Sequence, residues 1–506
     1  MMVIVRNDFP QFEKEASEIA KEYYFINISI VKEPKDGAIY NNYGEIHIPD
    51  TNDGVFFAGA LTHEVGHSFF DPVTLYNYLK ALSKVKDMFR LSDEDVLKLG
   101  NVITDIITDY GISKNVKLRA YRRQYLKKMF NEWFDNSNPL KVLLWSFYNK
   151  IHGCGLSIRK PKFAKYVNKI VKILEGVSDR EARYVELANI LLDLLKQEGV
   201  DILGDLPTDF PLRADKEELE GTIKQIFKEA RDIDEAENMI RLLAHGFDEA
   251  KEYARNSLLM LKAFYQEKAN QVRSFIEYPK TIEHKGVKIG SRKWLMSDGL
   301  INIDVERTIL KSGVNIPLVT SKTSRILDKF ILSRESHKPI DIVISIDVSG
   351  STGNPNGRMS SVSDYEIVML YALIDEAKRL NHRVGLTLWS SQIAYTSLPR
   401  TYDYREVEKL KEKPLVGYWS GGGTDISRAL RQAERYSDKL FLVFTDGQVF
   451  YGDLIDVDNV VFFLIMPSEG DYKMFVEKYG SHRVVRIDNV ENIPKVTLSW
   501  YRKVFC

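Results

Sequence analysis

The sequence predicts a multidomain protein of mixed α+β and α/β class. A small N-terminal domain of strands and helices is followed by a helical middle and a doubly wound, Rossmann-like α/β domain at the C-terminal end. Three observations carry this. The segments FINISI (25–30) and GEIHIP (44–49) alternate apolar with polar or small residues and lead into an apolar helical run. From about 115 to 277 apolar stripes recur at helical spacing with few glycines. Beyond 335 the continuous apolar strands DIVISID, RVGLTLW, KLFLVFTD and NVVFFLIM alternate with amphipathic helices, as in a parallel sheet covered on both faces.

The expected divisions are 1–114, 115–277, a loop-rich extension over 278–334, and 335–506. VFFAGALTHEVGHSFF reads as a helix that Asp71-Pro72 ends, because a residue before proline avoids the α region. A second long helix starts at the cap-like run Ser92-Asp93-Glu94-Asp95 and continues through VLKLGNVITDIITDYGI. DILGDLPTDFPLRAD (201–215) is expected as a loop, and the basic run RAYRRQYLKK (119–128) as a solvated amphipathic face. IPKVTLSWYRKVF at the end fits a final helix or a packing strand.

Composition excludes several classes. The chain has 506 residues, with 71 Lys plus Arg against 71 Asp plus Glu, so no basic excess marks a nucleic-acid binder. No stretch approaches the ~18 apolar residues of a membrane span. The N-terminus turns charged within six residues and carries no apolar signal core. Two cysteines, Cys154 and Cys506, are too few for a disulfide framework, which argues against extracellular adhesion and for the cytoplasm.

His63-Glu64-Val65-Gly66-His67 is an HExxH pattern inside a helical run. Residues four apart share a helix face, so both imidazoles can reach one metal ion with Glu64 beside it. Zinc needs two or three protein ligands and an open position for water, and a neighbouring carboxylate takes the proton of that water. An edge-like strand, GEIHIP, precedes the motif. Position 73 is Val, so the continuation with a third histidine six residues after His67 is excluded. The next helix carries Asn101, Asp105 and Asp109 at four-residue spacing on an otherwise apolar surface. Buried carboxylates require partners, and Asp105 is the expected third ligand, with Asn101 and Asp109 orienting the histidines. Glu94, near the start of that helix, is the competing ligand, and Asp109 itself stays open as one.

THEVGH followed by NVITDIITD resembles the VWA-like metallopeptidase family, which joins a zincin-like N-terminal domain to a von Willebrand factor A-like (VWA) C-terminal domain. The family pattern is HExxH followed by Asn-x-x-x-Asp-x-x-x-Asn on a helix. This chain matches at His63, Glu64, His67, Asn101 and Asp105 and departs at Asp109.

The first strand of the α/β domain ends in Asp347-Val348-Ser349-Gly350-Ser351, alternating short oxygen ligands suited to a hard cation. GGGTDISRAL supplies Thr424 on a loop opening a helix, with Asp425 as a helix cap, and LFLVFTDG supplies Asp446 at the end of a later strand. This set is similar to the metal-ion-dependent adhesion site of VWA domains. The resemblance implies that Ser349, Ser351 and Thr424 ligate Mg²⁺, with Asp347 and Asp446 binding directly or through water and one position left to a partner's acidic side chain. The neutral hydroxyls favour Mg²⁺, with Ca²⁺ and Mn²⁺ as competing ions.

Two functions follow as expectations. One is a cytosolic zinc metallopeptidase, with Glu64 as general base, whose VWA domain recruits a partner or a peptide substrate. The other is a non-enzymatic VWA adaptor with a structural or vestigial zinc site. The resemblance implies a MoxR-type AAA+ ATPase as partner for either. The chain has no GxxxxGK[ST] motif of its own, so any ATP dependence comes in trans.

Overall fold

The structure, a computed structural model, describes residues 4–23, 27–34, 40–42, 45–70, 74–158, 160–199, 216–276, 292–293, 321–322, 340–399, 404–417, 419, 422–447 and 454–505. Within it the chain is mixed α+β, and no described helix is long and apolar enough to cross a membrane. It divides into two compact units, Met1–Ile226 with Glu237–Arg255, and Phe227–Ala236 with Asn256–Cys506. The expected loop at 201–215, the Asp71-Pro72 stop and nearly all of 278–334 lie outside the described residues.

The first unit holds a four-stranded sheet of β1 (Ile4–Asn7), β2 (Asn27–Glu33), β3 (Tyr40–Asn42) and β4 (Glu45–Pro49) in the order β1-β2-β4-β3. The first three neighbours are parallel, and β3 runs antiparallel along β4. GEIHIP is therefore an interior strand. The expected edge position belongs to the shorter β3, a strand that the YNNYG turn signal had concealed.

Its helices are α1 (Glu13–Glu22), α2 (Gly54–Phe70), α3 (Leu75–Phe89), α4 (Asp93–Lys114), α5 (Val116–Trp133), α6 (Pro139–His152), α7 (Pro161–Gly176), α8 (Arg180–Gln197), α9 (Lys216–Glu229), α10 (Ile233–Ala244) and α11 (Asp248–Arg255), with α9 and α10 continuing into the second unit. The Ser92 hydroxyl caps α4 by accepting from the Asp95 amide, and Asn115 caps α5 by accepting from Lys117 and Leu118. Helix α6 starts at Asn138-Pro139 and stops at Gly153 in the left-handed region. The apolar face of α2 enters a core of Phe9, Phe12, Ile19, Tyr23, Ile46 and Ile48. Its other faces meet α4 and α5 at glycines. A Cβ on Gly66 would lie 2.9 Å from Thr108 Cγ2 of α4, and one on Gly59 only 2.1 Å from Tyr125 Cβ of α5. Those absent side chains let three helix axes approach closely enough for short carboxylates to reach imidazoles.

The second unit is built on a six-stranded sheet of β7 (Asp341–Asp347), β8 (Arg383–Trp389), β9 (Ile393–Ser397), β10 (Leu440–Thr445), β11 (Val460–Ile465) and β12 (Val484–Ile487). A separate antiparallel pair, β5 (Arg292–Lys293) with β6 (Ser321–Lys322), precedes it. The order is β12-β11-β10-β7-β8-β9, with all neighbours parallel except the antiparallel edge β9. The helices are α12 (Ser257–Phe275), α13 (Val362–Arg379), the short α14 (Tyr404–Glu408), α15 (Ile426–Arg435), α16 (Glu469–Tyr479) and α17 (Ile493–Phe505), so the last segment is a helix.

Alternate strand residues serve opposite faces of this sheet. Val343, Val443, Phe462 and Leu464 pack with Ile426 and Leu430 of α15 and Phe475 of α16. On the other face Phe463 meets Trp500 of α17, which packs with α13 and α12. Being covered on both faces is what makes these strands continuous apolar runs.

Candidate metal centres

One turn of α2 carries His63, Glu64 and His67, and α4 crosses it at Asp105. His63 Nε2 lies 3.2 Å from His67 Nε2 and 3.3 Å from Asp105 Oδ1, and the third side, His67 Nε2 to Asp105 Oδ1, is 3.4 Å. A tetrahedral zinc with bonds of about 2.0–2.1 Å separates its ligand atoms by about 3.3 Å, so the triangle has the size a three-ligand site requires. Among the described residues this is the one group of three or more His, Cys, Asp or Glu ligand atoms within 4.8 Å of one another. Glu94 instead pairs with Lys98 at 2.7 Å and stands exposed.

The far sides of the rings are also engaged. His67 Nδ1 meets Thr108 Oγ1 at 3.1 Å, and His63 Nδ1 lies 3.3 Å from Asp109 Oδ2. The Asp109 carboxylate, an ion-pair contact outside hydrogen-bond geometry, favours a proton on His63 Nδ1 and so leaves the Nε2 lone pair of that ring for the shared centre, while the Thr108 hydroxyl, able to donate or accept, fixes the orientation of the His67 ring. Asn101, one turn earlier on α4 than Asp105, accepts from the Tyr78 hydroxyl at 3.2 Å.

Asp109 is fully buried, yet it is held ionised. Arg122 donates to it from Nε at 2.8 Å and from Nη2 at 2.9 Å, and His152 Nε2 donates at 3.0 Å. Burial opposes its charge, but Arg122 and His63 outweigh that and hold the carboxyl well below its ordinary range. Arg122 is only 6% exposed, so the run RAYRRQYLKK, expected as a solvated amphipathic face, turns one of its own cations inward. Its charge is committed to the interior, where a buried carboxylate needs it. Burial and Arg122 work against protonation of His63, yet Asp109 and Asp105 prevail and raise it to about 9. Asp105 is pushed the other way, since the two histidines outweigh its desolvation.

Sequence reasoning missed Arg122, His152 and Thr108. A signal for Arg122 exists: it shares a helical stripe with the buried Leu118, Tyr125, Leu126 and Met129. His152 is the last residue before the helix-ending Gly153, with nothing local to mark it.

In the second unit β7 leads to β8 on one side, while the later β10 lies on its other side, so the connections diverge between the carboxyl ends of β7 and β10. Ligands of open α/β sheets bind at such a point. Asp347 ends β7 and Asp446 follows β10 there. Asp347 Oδ1 accepts from the Ser349 amide at 3.0 Å and Oδ2 from the Thr445 hydroxyl at 2.9 Å. Ser349 Oγ and Ser351 Oγ are 3.0 Å apart. The Gly350 amide donates to the Gly422 carbonyl at 3.1 Å, which brings the loop of Thr424 alongside. Thr424 and Asp446 are both half-buried, and Asp425 caps α15 by accepting from the Ser427 amide. Burial raises the Asp347 carboxyl to about 6, against its two hydrogen bonds and with help from the Asp446 charge.

No family model matches the chain, and no curated protein matches it.

Proposed function

We propose that the chain is a cytoplasmic zinc-dependent metallopeptidase whose VWA-like domain, a doubly wound Rossmann-like fold, binds a protein partner through a magnesium-dependent adhesion site. The observation that supports the first half is the His63, His67 and Asp105 triangle with sides of 3.2–3.4 Å. Bound zinc would supply an acidified water and an electrophile for a peptide carbonyl. Glu64 is placed by sequence next to His63 to take the proton and deliver it to the leaving amine. Asp109 beside His63 and Thr108 beside His67 orient the two rings, and Arg122 keeps Asp109 charged for that task.

For the second half, support comes from Asp347, Ser349 and Ser351 lying where the strand order reverses, with Asp446 at the end of the neighbouring strand. The ion there would be Mg²⁺, held by these groups and Thr424, and the proposed partner is a MoxR-type AAA+ ATPase.

The test measures zinc per chain in the wild type and in His67→Ala, then hydrolysis of a peptide mixture by the wild type and Glu64→Gln. About one zinc per chain, lost in His67→Ala, is expected, together with hydrolysis that Glu64→Gln abolishes while keeping its metal. Zinc without hydrolysis in the wild type would leave the adaptor reading.

A further inference from the structure

Helix α13 is buried over most of its length between Ser363 and Ala377, and Glu366 stands in its first turns within SDYEIVMLYALI. The side chain is fully buried, and both carboxylate oxygens lack a hydrogen-bond partner. Asp364, two residues earlier, shows how this protein normally treats a buried carboxylate: it accepts from the Tyr265 hydroxyl, the Gly357 and Asn356 amides and the Ser361 hydroxyl. Glu366 has no such cradle. The charges that act on it are those of Asp347 and Asp446, both of the same sign as its own, and with burial they push its carboxyl well above the ordinary range.

A Cβ on Gly353, two residues after Ser351, would lie 3.2 Å from Cβ of Ser361, the N-cap of α13, so the helix that carries Glu366 begins against the Asp347–Ser351 loop. A buried carboxylate without donors, in the field of two more carboxylates, is costly unless a cation offsets all three. We infer that Glu366 is the third carboxylate of the cation centre formed by Asp347 and Asp446, a buried anionic group that acts on a hard divalent ion across its hydration shell. This rests on the reading of Asp347, Ser349, Ser351, Thr424 and Asp446 as a cation site. Such a group strengthens binding by orienting coordinated water, without contacting a partner that docks from outside.

The experiment uses the full chain, with Mn²⁺ as the calorimetric probe and thermal melting in chelator or in excess Mg²⁺. Glu366→Gln removes the charge at nearly constant volume, and Glu366→Met removes it with no new donor. Both are expected to bind Mn²⁺ roughly 10- to 100-fold more weakly than the wild type. Both should also melt higher than the wild type in chelator and lose most of the upward shift that Mg²⁺ gives it. A residue that served packing alone would not combine these opposite effects. Variants that bind Mn²⁺ as the wild type does, or that melt lower in chelator, overturn the assignment of Glu366 alone. A wild type that gives no Mn²⁺ heat and no Mg²⁺ shift overturns the cation site itself, and Glu366 with it.

Discussion

The Arg122 guanidinium donates to Asp109 through two near-parallel hydrogen bonds of 2.8 and 2.9 Å, and the same carboxylate lies 3.3 Å from His63 Nδ1. A cation thirteen residues away in the chain thereby sets the charge of the group that orients a metal-facing imidazole. Fork-to-fork pairing also fixes the plane of the carboxylate, which a lysine could not do.

Arg122→Leu should therefore damage more than its own helix. It leaves a buried, uncompensated Asp109 and is expected to cost about 3–5 kcal/mol in denaturant unfolding of the first unit. Arg122→Lys should retain part of the stability and still weaken zinc binding in a chelator competition. Wild-type zinc affinity in Arg122→Lys would remove Asp109 orientation from the account.

Asp105 and Asp109 are expected to separate cleanly. Asp105→Ala should lose zinc, because one corner of the triangle disappears. Asp109→Asn should keep about one zinc per chain but bind it roughly 10- to 100-fold more weakly. The reverse pattern would make Asp109 the ligand.

Zinc and protons should compete at His63. Its zinc-free folded pKa of about 9 lies above the ordinary 6.5, so its contribution to stability is fully present below about 6.5 and fades as the pH rises through about 9. Zinc requires the neutral ring, so affinity should climb by about tenfold per pH unit up to about 9. A zinc-free first unit that gains stability between pH 7 and 9 would contradict this sign.

Gly66→Ala tests the helix approach. The added Cβ would stand 2.9 Å from Thr108 Cγ2, inside normal contact, and should cost about 1–3 kcal/mol while weakening zinc. Loss of stability with zinc binding untouched would mean that α4 moves without carrying Asp105 or Thr108 along.

Asp347→Asn should abolish the Mg²⁺-dependent thermal shift and leave zinc content unchanged. In chelator the variant should melt no lower than the wild type, because burial, which raises that carboxyl to about 6, makes its ionised form cost folding stability at neutral pH. An unaltered Mg²⁺ shift would move the cation elsewhere.

Local patterns made part of this legible. His63 and His67 were readable because four-residue spacing is a helix face, and Asp105 because a carboxylate stripe on an apolar helix demands a partner. Asp347, Ser349 and Ser351 were readable because their alternation falls at a strand end. Arg122 was hidden in a run whose Arg123, Lys127 and Lys128 do face water, and its register with Leu118 and Tyr125 sets it apart. His152 reaches Asp109 from 43 residues away through a helix whose direction no local pattern encodes. Glu366 was overlooked because an acidic residue in a helix is ordinarily placed at the surface, and here its helix neighbours Ser363, Ile367, Val368 and Leu370 are all buried. GEIHIP was misjudged as an edge because the three-residue β3 beside it is too short to show a period.

The position of β7 has a mechanical consequence. It is flanked by parallel partners, Arg383–Trp389 of β8 on one side and Leu440–Thr445 of β10 on the other. A force applied at Asp347 along the strand would load both ladders in shear, so many hydrogen bonds resist together instead of opening one after another as at an edge. Whatever grips that end can therefore pull hard on the second unit before the sheet yields.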